Sequence, residues 1–185
     1  MSTRTNTNPQ VPYQTTIKVR DCCLCLHVQR TARALARRFD DALRPLGLTN
    51  GQFSLMMSLN RPIPAGMASV AALLAMDRTT LTAALKPLER RGLVRIVPDP
   101  SDRRGRLLTL TSDGQRLLAK AVPVWEQNHA ELEATLPGRN ADRLRKDLGA
   151  LLWKQPASNS EPTNSNTKTF ATARTNPPKR PRRIR

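Results

Sequence analysis

Residues 77–110 read "DRTTLTAALKPLERRGLVRIVPDPSDRRGRLLTL", and this segment leaves the chain few folds. Leu81, Ala84, Leu85 and Leu88 recur at helical spacing and fall on one face. Asp77 stands where an N-cap belongs, since its carboxylate can accept from the backbone N–H of Thr79 or Thr80. Gly92 supplies the left-handed stop after Arg91. Two β-prone runs follow, "LVRIV" and "RLLTL", separated by the turn-rich "PDPSDRRG", which predicts a hairpin. A short helix over about 68–76, with Val70, Leu73 and Leu74, precedes Asp77 by only a residue or two. Two short helices so joined, followed by a hairpin, form a winged helix-turn-helix.

The rest of the chain fits around that unit. Val28, Leu35, Phe39 and Leu43 predict a first helix over about 22–43, closed by Pro45 and Gly47. Thr49 or Asn50 can cap a second, about 51–59, with Phe53, Met56 and Leu59 inward. No helix can cross "RPIPAG". Thr111 or Ser112 caps a long helix to about Leu136, with Leu118, Val122, Trp125 and Leu132 on one side and kinked by Pro123. A last helix over about 139–154 carries Leu144, Leu148, Leu151 and Leu152. The expected order is α-α-α-α-β-β-α-α, a mainly α chain with a small β-hairpin wing. Residues 1–20 and 156–185, rich in Thr, Asn, Ser and Pro, hold too little apolar surface to repay their ordering and are expected to be disordered. Residues 21–155 form the domain.

Charge narrows the function. The formal net charge of the 185 residues is +17, which calls for a polyanionic partner, nucleic acid before a membrane surface. Seven basic residues against the single acid Glu161 make 156–185 a basic arm, ending "PPKRPRRIR". No apolar run approaches the roughly 18 residues needed to span a bilayer, and no membrane partner is expected. Three clustered cysteines fit no disulfide framework and suit a reducing cytoplasm. No Gly-rich phosphate loop or paired catalytic carboxylates suggest an enzyme, and no cofactor is expected.

The helix after Asp77 has an outward face suited to double-stranded DNA. It holds Thr79, Thr82, Ala83, Lys86 and Arg90, with Arg78 and Thr80 at its start. Small and hydroxyl side chains let a helix lie deep in a major groove and bond base edges. Lys86 and Arg90, further along, suit phosphates. Pro87 removes one helical hydrogen bond and predicts a bend. In the hairpin loop Arg103, Arg104 and Arg106 stand beside Asp99 and Asp102. An arginine at the tip can enter a minor groove, with the acids orienting it. A second reading is a sequence-blind nucleic-acid binder relying on the basic tail.

"MDRTTLTAALKPLERRGLVRIVPDPSDRRGRLLTLTSDG", 76–114, resembles the MarR family of transcription regulators. The wing matches the family pattern at Asp102, Arg104, Leu110 and Thr111, and "ERRGLV" matches the usual end of the recognition helix. The resemblance covers about 22–154. It implies a homodimer joined through helices over about 22–45, 112–136 and 139–154, with a DNA-binding part over about 49–111. It implies recognition helices in successive major grooves, Arg104 in a minor groove and Asp102 orienting the wing. It further implies a regulator, often a repressor, released by thiol oxidation or by a small effector in a pocket between the dimerisation helices and the winged part. One departure is Ala75, where a Gly commonly stands.

"DCCLCLH", 21–27, holds all three cysteines. On one continuous helix Cys22 and Cys25 share a face and Cys23 and His27 share another. One tetrahedral ion cannot then take all four, so no metal site is expected. Redox chemistry and simple packing of the dimer interface remain. A subgroup of the family, the organic hydroperoxide sensors, carries a reactive Cys that aligns through "RTARA" (30–34) with Cys25. Cys22 is the second redox candidate. Lys18, Arg20 and Arg30 lie near in sequence, and a helix N-terminus favours negative charge. Gln29, Phe39 and Phe53 occupy the positions where that subgroup has tyrosines.

Overall fold

A computed structural model describes residues 10–102 and 104–152. The basic arm and Arg103 lie outside the described residues, as do residues 1–9.

The N-terminal expectation needs two corrections. Tyr13–Cys22 is a helix, α1, most of it within the residues 1–20 expected to be disordered. Pro12 (φ −59°) stands at its N-cap position, no Gly or Pro interrupts it, and none of its residues is buried. The helix predicted from Cys22 instead begins at Leu24. Cys23 is extended (φ −76°, ψ 103°), ending α1 and standing as the N-cap position of α2, Leu24–Leu43. Cys22 and Cys25 thus sit on two helices and the face expected to join them is broken, whereas His27 N donates to Cys23 O at 3.1 Å and keeps those two residues one turn apart.

The second half of α2 enters the core through Phe39 and Leu43, whereas Leu24 and Val28 near its start are exposed. A 3-10 turn, Arg44–Leu46, leads to α3, Asn50–Ser58. A capping box starts α3. Thr49 Oγ1 accepts from Gln52 N at 3.2 Å and Gln52 Oε1 accepts from Thr49 N at 3.1 Å. Asp40 Oδ1 on α2 accepts from Asn50 N at 2.6 Å, tying the two helices together.

"RPIPAG" ends in a two-residue strand, β1 (Ala65–Gly66), which the sequence reading missed. It pairs antiparallel with β3 (Arg106–Leu110), which pairs on its other side with β2 (Val94–Pro98), giving the order β1-β3-β2. The hairpin register sets Val94 opposite Leu110 and Ile96 opposite Leu108. Leu108 is fully buried beneath it.

Helix α4, Met67–Leu73, stops three residues short of expectation. Ala75 then takes φ +51°, the left-handed region that accounts for the usual Gly there. Helix α5, Arg78–Arg90, runs through Pro87. Gly92 (φ +67°) turns the chain into the hairpin, and Leu93 N donates to Leu88 O at 2.9 Å. Helix α6, Ser112–Ala134, is capped by Thr111, whose Oγ1 accepts from Gly114 N at 3.0 Å and donates to Gly92 O at 2.6 Å. A Cβ on Gly114 would lie 2.1 Å from Leu93 O, so only Gly lets α6 start this close to the hairpin.

Leu43, Leu55, Met56, Val70, Leu81, Leu85, Leu88 and Leu108 form the centre of the core, all fully buried. At roughly 1.5–3 kcal/mol each, these side chains fix α2 through α6 and the sheet around one nucleus. From Asp142 the chain forms a second compact unit, described by α7, Ala141–Ala150. Leu144 and Leu148 on that helix are exposed, as are Leu151 and Leu152 after it.

Candidate nucleic-acid interface

The core face of α5 and its outer face are cleanly separated. Leu81, Leu85 and Leu88 are buried. Arg78, Thr79, Thr82, Ala83 and Lys86 are exposed and line one shallow groove of about 360 Å³. Arg90 is also exposed but lies outside that groove.

Asp77 fixes where this face begins. Its Oδ1 accepts from Thr80 N at 2.8 Å and its Oδ2 from Thr80 Oγ1 at 2.6 Å. Thr80 is therefore committed to the cap, unlike Thr79. The bonds from the Thr80 hydroxyl and N–H hold the Asp77 carboxyl below the usual carboxylate range, so it is ionised near neutral pH. Thr82 Oγ1 donates to Arg78 O at 2.7 Å, so its proton is used within the helix and the oxygen keeps its acceptor capacity.

The wing is shaped by its acids. Asp99 Oδ1 accepts from Ser101 N and Ser101 Oγ at 2.8 and 2.6 Å, which lowers the Asp99 pKa. Asp102 Oδ1 accepts from Arg104 N at 2.9 Å, and Gly105 N donates to Asp102 O at 2.8 Å. Asp102 thus holds the backbone of Arg104, not its guanidinium. The Arg104 side chain is exposed and pairs with no acid among the described residues. Arg106 Nη1 donates to Gly105 O at 2.9 Å.

Helix and wing meet. Arg78 from α5 lines a concavity of about 390 Å³ together with Asp99, Asp102, Arg104 and Arg106 from the hairpin and Gly66 and Met67 from β1 and α4. Gly66 and Met67 are the positions sequence reasoning missed there. A two-residue strand has no alternation to detect, so only the two prolines before it marked the spot.

A second cavity, of about 510 Å³, opens between α3, α4 and α6. Phe53, Met57, Leu73, Leu74, Val122 and Trp125 line it with Ser54, Ser58 and Glu126. The Phe53 and Trp125 rings lie 6.1 Å apart at 22°.

Cys25 is exposed in the first turn of α2, and Gln29 Nε2 donates to its Sγ at 3.4 Å. Gln29, at one of the expected tyrosine positions, thus does contact the thiol. Cys22 is exposed and Cys23 half-buried. Among the described residues, no group of three or more His, Cys, Asp or Glu is placed to hold a metal ion. No helix of the described residues is long and apolar enough to cross a membrane.

Known proteins share this arrangement. The sequence model of the MarR family matches residues 48–105, the winged part. The transcriptional activatory protein BadR of Rhodopseudomonas palustris is 35% identical over 106 residues, 56% of this chain and 57% of BadR, so the chain spans little more than half of that relative. The transcriptional regulator HosA of Escherichia coli is 35% identical over 98 residues, 51% of this chain and 70% of HosA. The crystal structure of the M. tuberculosis transcriptional regulator MosR in complex with DNA superimposes with a TM-score of 0.64 and 39% identity, covering 70% of this chain and 92% of MosR. With the recognition helix, its cap and the arginine-bearing wing in place, the chain belongs to the MarR family of winged helix-turn-helix transcriptional regulators.

Proposed function

We propose that this protein is a cytoplasmic, homodimeric repressor that sets α5 in the major groove of double-stranded DNA and Arg104 in the adjacent minor groove. Arg78, Thr79, Thr82 and Ala83 would meet base edges, and Lys86, Arg90 and Arg106 the phosphates. Arg103 is assigned to the same wing contact on sequence alone. Thr80 acts through the cap. The observation that carries the reading is the shared concavity joining Arg78 to Arg104 and Arg106, which presents helix and wing as one basic surface. The likeness to MosR in complex with DNA supports it.

Residues 21–155 would form the functional domain, with about 49–111 on DNA. The exposed Leu24 and Val28 of α2 and the exposed leucines of α7 supply apolar surface for a second copy. Release would follow ligand entry into the cavity between α3, α4 and α6, or oxidation of Cys25, with Cys22 as the second thiol. A gel-shift titration of the full chain against the DNA upstream of its own gene tests the reading. Specific binding that weakens steeply with salt is expected. Equal affinity for random DNA would sink it.

A further inference from the structure

The cavity between α3, α4 and α6 has a composition that selects its occupant. Its walls are Phe53, Met57, Leu73, Leu74, Val122 and Trp125. Met57 and Leu73 remain 41% and 62% exposed at this site, an apolar lining left open to solvent. The charged side chain there is Glu126, exposed and without a hydrogen bond or ion pair to any described residue. Among the described residues, no Lys, Arg or His lines the cavity. His129 stacks on Trp125 at 4.6 Å, but its Nε2 is engaged by Glu133 at 2.9 Å and it stands outside the lining.

An organic anion entering here would meet apolar walls and a carboxylate, with no donor of opposite charge. An organic cation would meet an apolar lining that includes two aromatic side chains, and a carboxylate of opposite charge with no partner among the described residues. The chain's net charge of +17 acts the other way. Solvent screens it beyond a Debye length of about 8 Å, so the charge lining the cavity decides.

Resting on the reading of this cavity as the effector site, we propose that the effector is a lipophilic organic cation. Its flat apolar body lies against Trp125 and Phe53, and its ammonium group meets Glu126.

Calorimetric titration of the full-length protein with three probes of one shape tests this: naphthylmethylammonium, the neutral naphthylmethanol and naphthoate. The ammonium compound should bind roughly fivefold to tenfold more tightly than the alcohol, and naphthoate more weakly than both. Glu126→Gln, an exposed and isosteric change, should bring the ammonium compound to the level of the alcohol. The alcohol's own affinity and the thermal midpoint should stay put. Naphthoate binding as well as the ammonium compound, or a cation preference that survives Glu126→Gln, overturns the assignment of ligand class and leaves the cavity reading standing. No binding of any probe up to millimolar concentration removes the cavity reading, and this inference with it.

Discussion

Two residues between them show how much one backbone position can carry. Ala75 adopts φ +51° between α4 and α5, where a side chain crowds the neighbouring carbonyl. Ala75→Gly should relieve that crowding, partly offset by the greater freedom of Gly in the unfolded chain. We expect a net gain of about 0.5–1 kcal/mol in urea unfolding, with no change in DNA affinity. Gly114 is the opposite case. Its missing Cβ would stand 2.1 Å from the Leu93 carbonyl oxygen, and that oxygen also accepts from Thr111 N at 3.1 Å. Neither group can yield without parting α6 from the hairpin. Gly114→Ala should therefore cost about 3 kcal/mol, read as a lower urea midpoint at unchanged slope. The Ala75 conformation is not legible in the periodicity, which carries the helix through to 76; only the Gly common there in the family points to a left-handed residue after the helix C-cap. The demand on Gly114 is not legible either, because it comes from a carbonyl 21 positions earlier in the chain.

Elements were legible where their ends carry chemistry. Helix α5 lies between Asp77 and Gly92 as read, since a carboxylate cap and a left-handed stop are both local signals. The break at Cys23 has no such marker. Neither Gly nor Pro stands there, and only the extended backbone of Cys23 separates α1 from α2. Strand β1 escaped because its partner, β3, lies about 40 residues on and supplies the pairing that two residues cannot announce. The wing was read correctly as a hairpin, and the bond from Asp102 fits the wing-orienting role expected of it, made through a backbone N–H that the sequence does not specify. Asp102 bonds the backbone of Arg104, which leaves the guanidinium available to a partner. Arg104→Ala should then weaken operator binding at least tenfold while leaving the fold intact. The logarithmic salt slope should fall by roughly one contact's worth, as fluorescence anisotropy at several salt concentrations would show. Asp102→Asn keeps an acceptor for the Arg104 N–H and should bind DNA nearly normally, whereas Asp102→Ala should weaken binding without touching any DNA group itself. Equal effects of the two Asp102 changes would place its role in charge and not in shaping the turn.

At the scale of the molecule, the described chain has a complete core but an incomplete surface. The eight side chains at the centre of the core are sealed, yet α1 buries nothing, the start of α2 exposes Leu24 and Val28, and α7 exposes Leu144 and Leu148. These exposed residues lie on helices expected to join two copies; the winged part also exposes Ile63, and Met57 and Leu73 at the cavity. The proposed dimer accounts for the exposed leucines of α2 and α7, and it makes DNA affinity depend on residues outside the DNA-binding part. One recognition helix spans only a few base pairs, and two held at a fixed spacing bind together as one ligand. Leu148→Glu places a charge on an apolar surface of α7 without disturbing the core of the winged part. We expect light scattering to show a shift from dimer to monomer at micromolar concentration, with an unchanged helical spectrum. Affinity for the full palindromic site should drop by at least a hundredfold, while binding to a single half-site stays as weak as before. A variant that remained dimeric would move the interface off α7. A variant that became monomeric yet kept full affinity would mean that each winged unit reads its DNA alone.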